Sequence, residues 1–207
     1  MTIPLFPLQL VLFPSVPLPL HIFEERYRTL INRCLDEQKP FGVVYHQGES
    51  MSRVGCTALI SDVLKRYEDG RMDILTVGGE RFEIVSVDDT GLYLEATIRY
   101  LHEGTADEND ELTSQAIEQL LQYALHADVT IDRASLDALT ANQLSFLIAG
   151  IDVLGMETKQ ALLEIDDPDE RLRVAVHELV VMNARLDAAE RIKRIVGGDL
   201  DLSGLKN

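Results

Sequence analysis

The hydrophobic positions of this chain change their period once, near residue 104. Before that point they alternate or form short apolar runs, and beyond it they recur every three or four residues. Residues 3–13 hold Ile3, Leu5, Phe6, Leu8, Leu10, Val11, Leu12 and Phe13, which predicts strand, turn, strand. Residues 24–38 change character. Tyr27, Leu30, Ile31, Cys34 and Leu35 fall at helical spacing, Glu24 and Glu25 suit the positive helix end, and Pro40 follows the stop. A buried strand is expected over 41–46, then a polar loop over 47–53. Residues 54–87 read as a long hairpin about Asp69-Gly70, with a bulge or sharp bend at Gly78-Gly79. After a turn at 88–91, alternation over 92–101 predicts the last strand.

Residues 102–111 are polar and acidic and join the two patterns. A helix follows over 110–126, with Leu112, Ala116, Leu120, Tyr123 and Ala124 on one face. A second helical stretch covers 136–151, broken and capped at Thr140. A third covers 156–165. Asp167 as N-cap and Pro168 in the first turn then start the longest helix. Its stripe runs through Leu172, Val176, Leu179, Met182, Leu186 and Ala189 toward Gly197-Gly198, a span of roughly 43 Å at 1.5 Å per residue. The nine residues after Gly198 are expected to fray. Strands followed by helices predict an α+β chain with two subdomains, 1–104 and 110–207.

Composition narrows the function. The net charge is −16, and residues 101–207 carry −12 of it. Such a surface repels phosphate, so nucleic acid is not an expected partner. The Arg191, Lys193 and Arg194 group sits where cations favour a helix end. Two cysteines, Cys34 and Cys56, do not make a disulfide framework and suit a reducing, cytoplasmic setting. The first twenty residues are nearly all apolar, but Pro4, Pro7, Pro14, Pro17 and Pro19 break any helix there. Neither a signal peptide nor a membrane span is expected.

Catalytic motifs are not found. Neither glycine pair is followed by the Lys and Ser or Thr of a phosphate-binding loop, and no dinucleotide fingerprint appears. The five histidines are scattered, and His46 with Cys56 could supply only two ligands, so no metal or cofactor is expected. Gly48-Glu49-Ser50 does not continue as a nucleophile elbow. Cys34 reads as a small buried hydrophobe. Asp166, Asp167, Asp169 and Glu170 read as helix capping.

The opening residues are more specific than their composition. Pro4-Leu5-Phe6-Pro7-Leu8, Phe13-Pro14, Leu18-Pro19-Leu20-His21-Ile22-Phe23-Glu24 and Arg26-Tyr27-Arg28 resemble the signature of the amino-terminal domain of the Lon protease family. Further similarities follow in register at 41–44, 54–58, Asp69-Gly70-Arg71, the Gly78 to Ile84 strand, Lys159 to Glu164 and Arg171-Leu172. Glu25 stands where many relatives have proline. The resemblance implies a pseudo-β-barrel of the PUA-like type with one inserted helix, then an α-helical bundle ending in a long helix. It also implies a module that holds unfolded or extended protein segments, or a partner protein, without cutting them. The chain ends at Asn207 without ATPase or peptidase modules, so a stand-alone, non-enzymatic domain is expected. An RNA-binding PUA-like protein and an ATP-independent hydrolase are the alternatives.

Candidate binding residues are Phe6, Phe13, Pro14, Pro17, His21, Phe23 and Tyr27. The aromatic ones could equally be barrel core, or the floor of a peptide groove. Exposed strand edges could also accept an extended peptide by strand addition. Arg81, amid apolar neighbours, is expected to pair with Glu24 or Glu25 and tie the first helix to the barrel.

Overall fold

Prolines and close backbone contacts decide where the first strands start and stop. The computed structural model describes residues 1–104, 110–152 and 154–197. Its β-rich part runs β1 (Thr2–Leu8), β2 (Pro17–Ile22), α1 (Glu25–Glu37), β3 (Phe41–Gln47), β4 (Ser50–Arg66), β5 (Met72–Asp88) and β6 (Glu95–Tyr100). The helices that follow are α2 (Asp110–His126), α3 (Arg133–Asp137), α4 (Ala141–Ala149), α5 (Met156–Glu164) and α6 (Pro168–Gly197). The architecture is α+β, as the change of hydrophobic period predicts. Gly198 and the nine residues after it lie outside the described residues, as does 105–109 of the acidic join.

The sheet order is β2-β5-β4-β3-β1-β6, and β6 also pairs with β5, which closes the barrel. β1 and β3 are parallel across the α1 crossover, and the other pairings are antiparallel. Inside the barrel the Phe82 ring fills space that two glycines leave. A Cβ on Gly42 or Gly55 would stand 2.7 Å from its tip. Phe6, Ile22, Leu30, Ile31, Phe41 and Ile74 pack α1 against the barrel.

Three strand expectations need correction. The second opening strand lies at 17–22, not within 3–13. Residues 9–16 instead form a link that turns inward and buries Leu12 and Phe13, because burial of two large side chains outweighs the local alternation. The expected loop over 47–53 shrinks to the Gly48-Glu49 turn, since Gly48 takes a φ of 62° and β4 can start at once. The last strand is shorter than 92–101, because pairing with β5 begins only at Glu95 opposite Asp88.

The bulge at Gly78-Gly79 is present. Pairing passes from Cys56 opposite Arg81 to Ala58 opposite Gly78, so β5 carries one extra residue there. Gly78 is required by a neighbour as well. A Cβ on it would lie 2.0 Å from the Phe13 carbonyl oxygen. The backbone donates Ser15 N–H to Gly78 O at 2.8 Å and Gly78 N–H to Val16 O at 2.9 Å.

In the helical part α6 packs along α2 and α4. The core joins Leu112, Leu120, Leu144, Leu162, Leu172 and Leu179 to Phe13 of the barrel link. Thr140 caps α4 with a full capping box to Gln143, the break expected within 136–151. The buried Lys159 ammonium donates to Gly150 O at 3.2 Å, at the carbonyl end of α4. Burial pushes its pKa down.

Asp167 Oδ1 accepts from the Asp169 and Glu170 amides at 2.8 and 3.0 Å. The Glu170 amide, then the Asp169 amide, hold its carboxyl below the usual carboxylate range. A carboxyl whose folded pKa is depressed adds stability above its unfolded pKa, and that stability is lost as pH falls through the folded value. Asp167→Ala is therefore expected to lower Tm by a few degrees at pH 7 and to narrow its gap to wild type on acidification. A Tm difference that stays constant from pH 7 to pH 3 would contradict this role.

Candidate functional site

A groove of about 650 Å³ opens where β1, β2, the start of α1 and the β3–β4 turn meet. Its floor is aromatic. Phe6 is buried on β1, and its ring meets Tyr27 of α1 edge-on at 4.0 Å between centroids. Burial pushes the Tyr27 phenol pKa up, against the opposing effect of Arg26. The Arg26 guanidinium lies 4.5 Å from the Tyr27 ring centroid and bonds Glu24 at 2.8 Å. Phe23 stands at the junction of β2 and α1, 60% exposed. His21 stacks near it at 6.0 Å. The His21 Nδ1 contacts Asp73 Oδ1 at 2.5 Å, and the Tyr67 hydroxyl donates to Asp73 Oδ2 at 2.8 Å. His21 first, then Tyr67, hold the Asp73 carboxyl below the usual carboxylate range.

The edge beside this groove is poor for strand addition. β2 pairs only with β5 among the described strands. Because Gly78 N–H reaches Val16 O, the two-residue period turns the Leu18 and Leu20 backbone toward β5 and that of Pro17, Pro19 and His21 away. Two prolines on the outer edge remove donors that an added strand would need.

The structure brings four of the seven candidate residues together, since Phe6, His21, Phe23 and Tyr27 all line the groove. The other three lie elsewhere. Pro14 lines a second cleft of about 350 Å³ between barrel and helices. Phe13 is buried beneath that junction in the helical core, and Pro17 opens the β2 edge. The groove also holds residues that were not among the expected binding residues, including Met51, Tyr93, His46 and Glu49. His46 and Glu49 flank the Gly48 turn, a signal that was readable. Tyr93 arrives through tertiary packing alone.

The expected pairing of Arg81 with Glu24 or Glu25 is not formed. Glu24 bonds Arg26, and Arg81 points the other way, from the β5 bulge toward the helices. Its side chain is wholly buried. Nε donates to Glu103 at 2.6 Å, Nη1 to Leu163 O at 2.7 Å and Ile165 O at 2.9 Å, and Nη2 to Asp166 at 3.2 Å. Arg171 of α6 is equally buried and takes the other Glu103 oxygen at 2.8 Å. It also donates to Ser145 Oγ at 2.9 Å and to Asn142, and stacks 4.0 Å from the Phe146 ring centroid. One carboxylate thus bridges two buried guanidiniums at the joint of barrel and bundle.

Strand register separates His46, opposite Met51, from Cys56, opposite Val43. Burial pushes the Cys34 thiol up to about 11 and the Cys56 thiol further still, which suits inert core residues. Among the described residues no three His, Cys, Asp or Glu side chains are arranged to hold a metal ion. Among those residues, too, no helix is long and apolar enough to cross a membrane.

Comparison with known proteins matches residues 2–181 to the family described as the ATP-dependent protease La (LON) substrate-binding domain. The chain is 28% identical to the Lon protease of Escherichia coli K12 over 93% of its own length and 26% of that protein's. It is 28% identical to the Lon protease of Flavobacterium johnsoniae over 97% of its length, again 26% of the relative. The chain therefore spans about a quarter of the length of these relatives. Among solved structures, the N-terminal domain of Mycobacterium avium complex Lon protease superimposes with a TM-score of 0.73 at 20% identity, covering 87% of this chain and 98% of that one. A Lon N-terminal domain protein from Xanthomonas campestris gives 0.66 at 24% identity, covering 84% and 95%. At these identities the superpositions carry the fold alone.

Proposed function

The chain belongs to the family of Lon substrate-binding domains, and from that premise we propose that it holds extended protein segments in the aromatic groove without cutting them. The observation that carries this reading is the convergence of Phe6, Phe23 and Tyr27 on one open groove, with Phe23 left 60% exposed. An aromatic side chain uncovered beside a concave apolar floor is a natural anchor for an incoming apolar residue. The barrel unit, expected at 1–104, does the reading, and the helical unit, expected at 110–207, supports it through α2 to α6. The setting is cytoplasmic, no cofactor takes part, and a net charge of −16 disfavours the RNA-binding alternative.

The test is fluorescence anisotropy with labelled, unstructured peptides that carry large apolar residues. Phe23→Ala should weaken binding about tenfold while shifting stability by less than about 0.5 kcal/mol, since the ring is mostly in water. Tyr27→Ala should weaken binding as well. Wild-type affinity in both variants would end the groove assignment.

A further inference from the structure

The geometry points to a charge preference in this groove: its occupants are extended segments in which a large apolar residue is flanked by lysine or arginine. The inference rests on the groove being the surface that reads protein segments. Of the charged side chains lining the groove, Arg26 is matched by Glu24 at 2.8 Å. Glu49, exposed on the β3–β4 turn, lines the same groove and has no ion-pair partner among the described residues.

At the β2 side stands His21, and behind it Asp73. The Asp73 carboxylate accepts from both His21 and Tyr67 and is held in its ionised form. The proton in the 2.5 Å contact therefore belongs to the His21 Nδ1. Nε2 has no hydrogen-bond partner among the described residues. With a neutral ring, the His21–Asp73 pair is a net anion that presents a lone pair, and with a protonated ring it is neutral. In neither state is it a cation. Of the nearby cations, Arg71 bonds Asp69 at 2.7 Å, and Lys65 lies 4.5 Å from the Tyr67 ring centroid, where its charge also acts on Asp73.

The groove thus combines an apolar floor with a carboxylate unpaired among the described residues on one side and, with a neutral His21 ring, an acceptor on the other. The exposed Phe23 face adds an attractive surface for a cation. The net charge of −16 steers basic segments toward the protein and acidic ones away. An incoming ammonium or guanidinium would be met by the Glu49 carboxylate, which has no ion-pair partner among the described residues, and, with a neutral ring, by His21 Nε2.

The experiment uses the full chain and three labelled synthetic peptides with one shared aromatic and leucine core. Their flanks are lysine, serine or glutamate. At low salt the lysine-flanked peptide should bind about tenfold tighter than the serine-flanked one, and the glutamate-flanked one weakest. The spread should shrink as salt rises. Glu49→Gln, at an exposed turn, should cut the lysine preference severalfold without moving Tm. Asp73→Asn should do the same, with Tm measured alongside. Failure of all three peptides to bind would overturn the groove function itself. Binding of all three with equal affinity, or a preference for glutamate flanks, would leave that function standing and overturn the charge preference. A lysine preference unchanged in both variants would remove these residues from it.

Discussion

Arg81→Met is expected to lower stability by about 3–5 kcal/mol, with a fall in Tm of about 10 °C. The size follows from what the guanidinium leaves behind. Its side chain is wholly buried, and two of its partners are the backbone carbonyls of Leu163 and Ile165. Losing the donor to Leu163 O costs about 1–3 kcal/mol, while Ile165 O keeps only its Arg171 donor. Asp166 is 67% exposed and returns to water at little cost, while Glu103, 31% exposed, keeps only its Arg171 bond. Lysine should not rescue the site, because one ammonium cannot reproduce a planar fork that meets four partners. Arg81→Met and Arg171→Met should be strongly non-additive, since both guanidiniums share Glu103 and the Ile165 carbonyl. Chemical denaturation of the two single variants and the double variant measures this. Additive losses would mean that the two arginines act separately and that no bridged joint exists.

The same joint marks the limit of what sequence could tell. The change of period near residue 104, the Asp69-Gly70 hairpin, the Thr140 break and the Asp167-Pro168 helix start were legible because each is local chemistry. The bulge was legible because paired glycines within a strand have few other uses. Arg81 was recognisable as a buried cation, but its partners lie at 103 and 163–166, and the neighbouring acids at 24 and 25 looked nearer. A bulge that re-aims a side chain leaves no mark of its new direction in the residue pattern. The groove was half legible for a related reason. Phe6, His21, Phe23 and Tyr27 are close in sequence, whereas Met51 and Tyr93 reach it through the closure of the barrel.

Phe13→Ala is the other large loss to expect, about 3–5 kcal/mol. Sequence left Phe13 open as groove floor or as core, and the two roles give opposite experimental signatures. The ring is 1% exposed and sits among residues of the helical core, 6.0 Å from the Phe146 ring centroid. Its backbone is pinned as well: the carbonyl accepts from Val16 N–H at 3.2 Å and lies against Gly78, where no Cβ fits. Because the link cannot move toward β5, truncating the ring leaves a void that the backbone cannot close, which puts the cost at the upper end of large-to-small substitutions. Phe13→Leu, which keeps most of the volume, should cost about 1.5 kcal/mol or less. Peptide affinity measured well below the melting transition should be unchanged in both variants, because the ring lies outside the groove. A Phe13→Ala protein that melts with wild type but no longer binds peptide would place the ring in the groove and detach the barrel link from the helical core. Loss of stability with affinity intact assigns Phe13 to the joint. Phe13 and the bridged pair of arginines are then two of the contacts that hold barrel to bundle, and both lie apart from the aromatic groove.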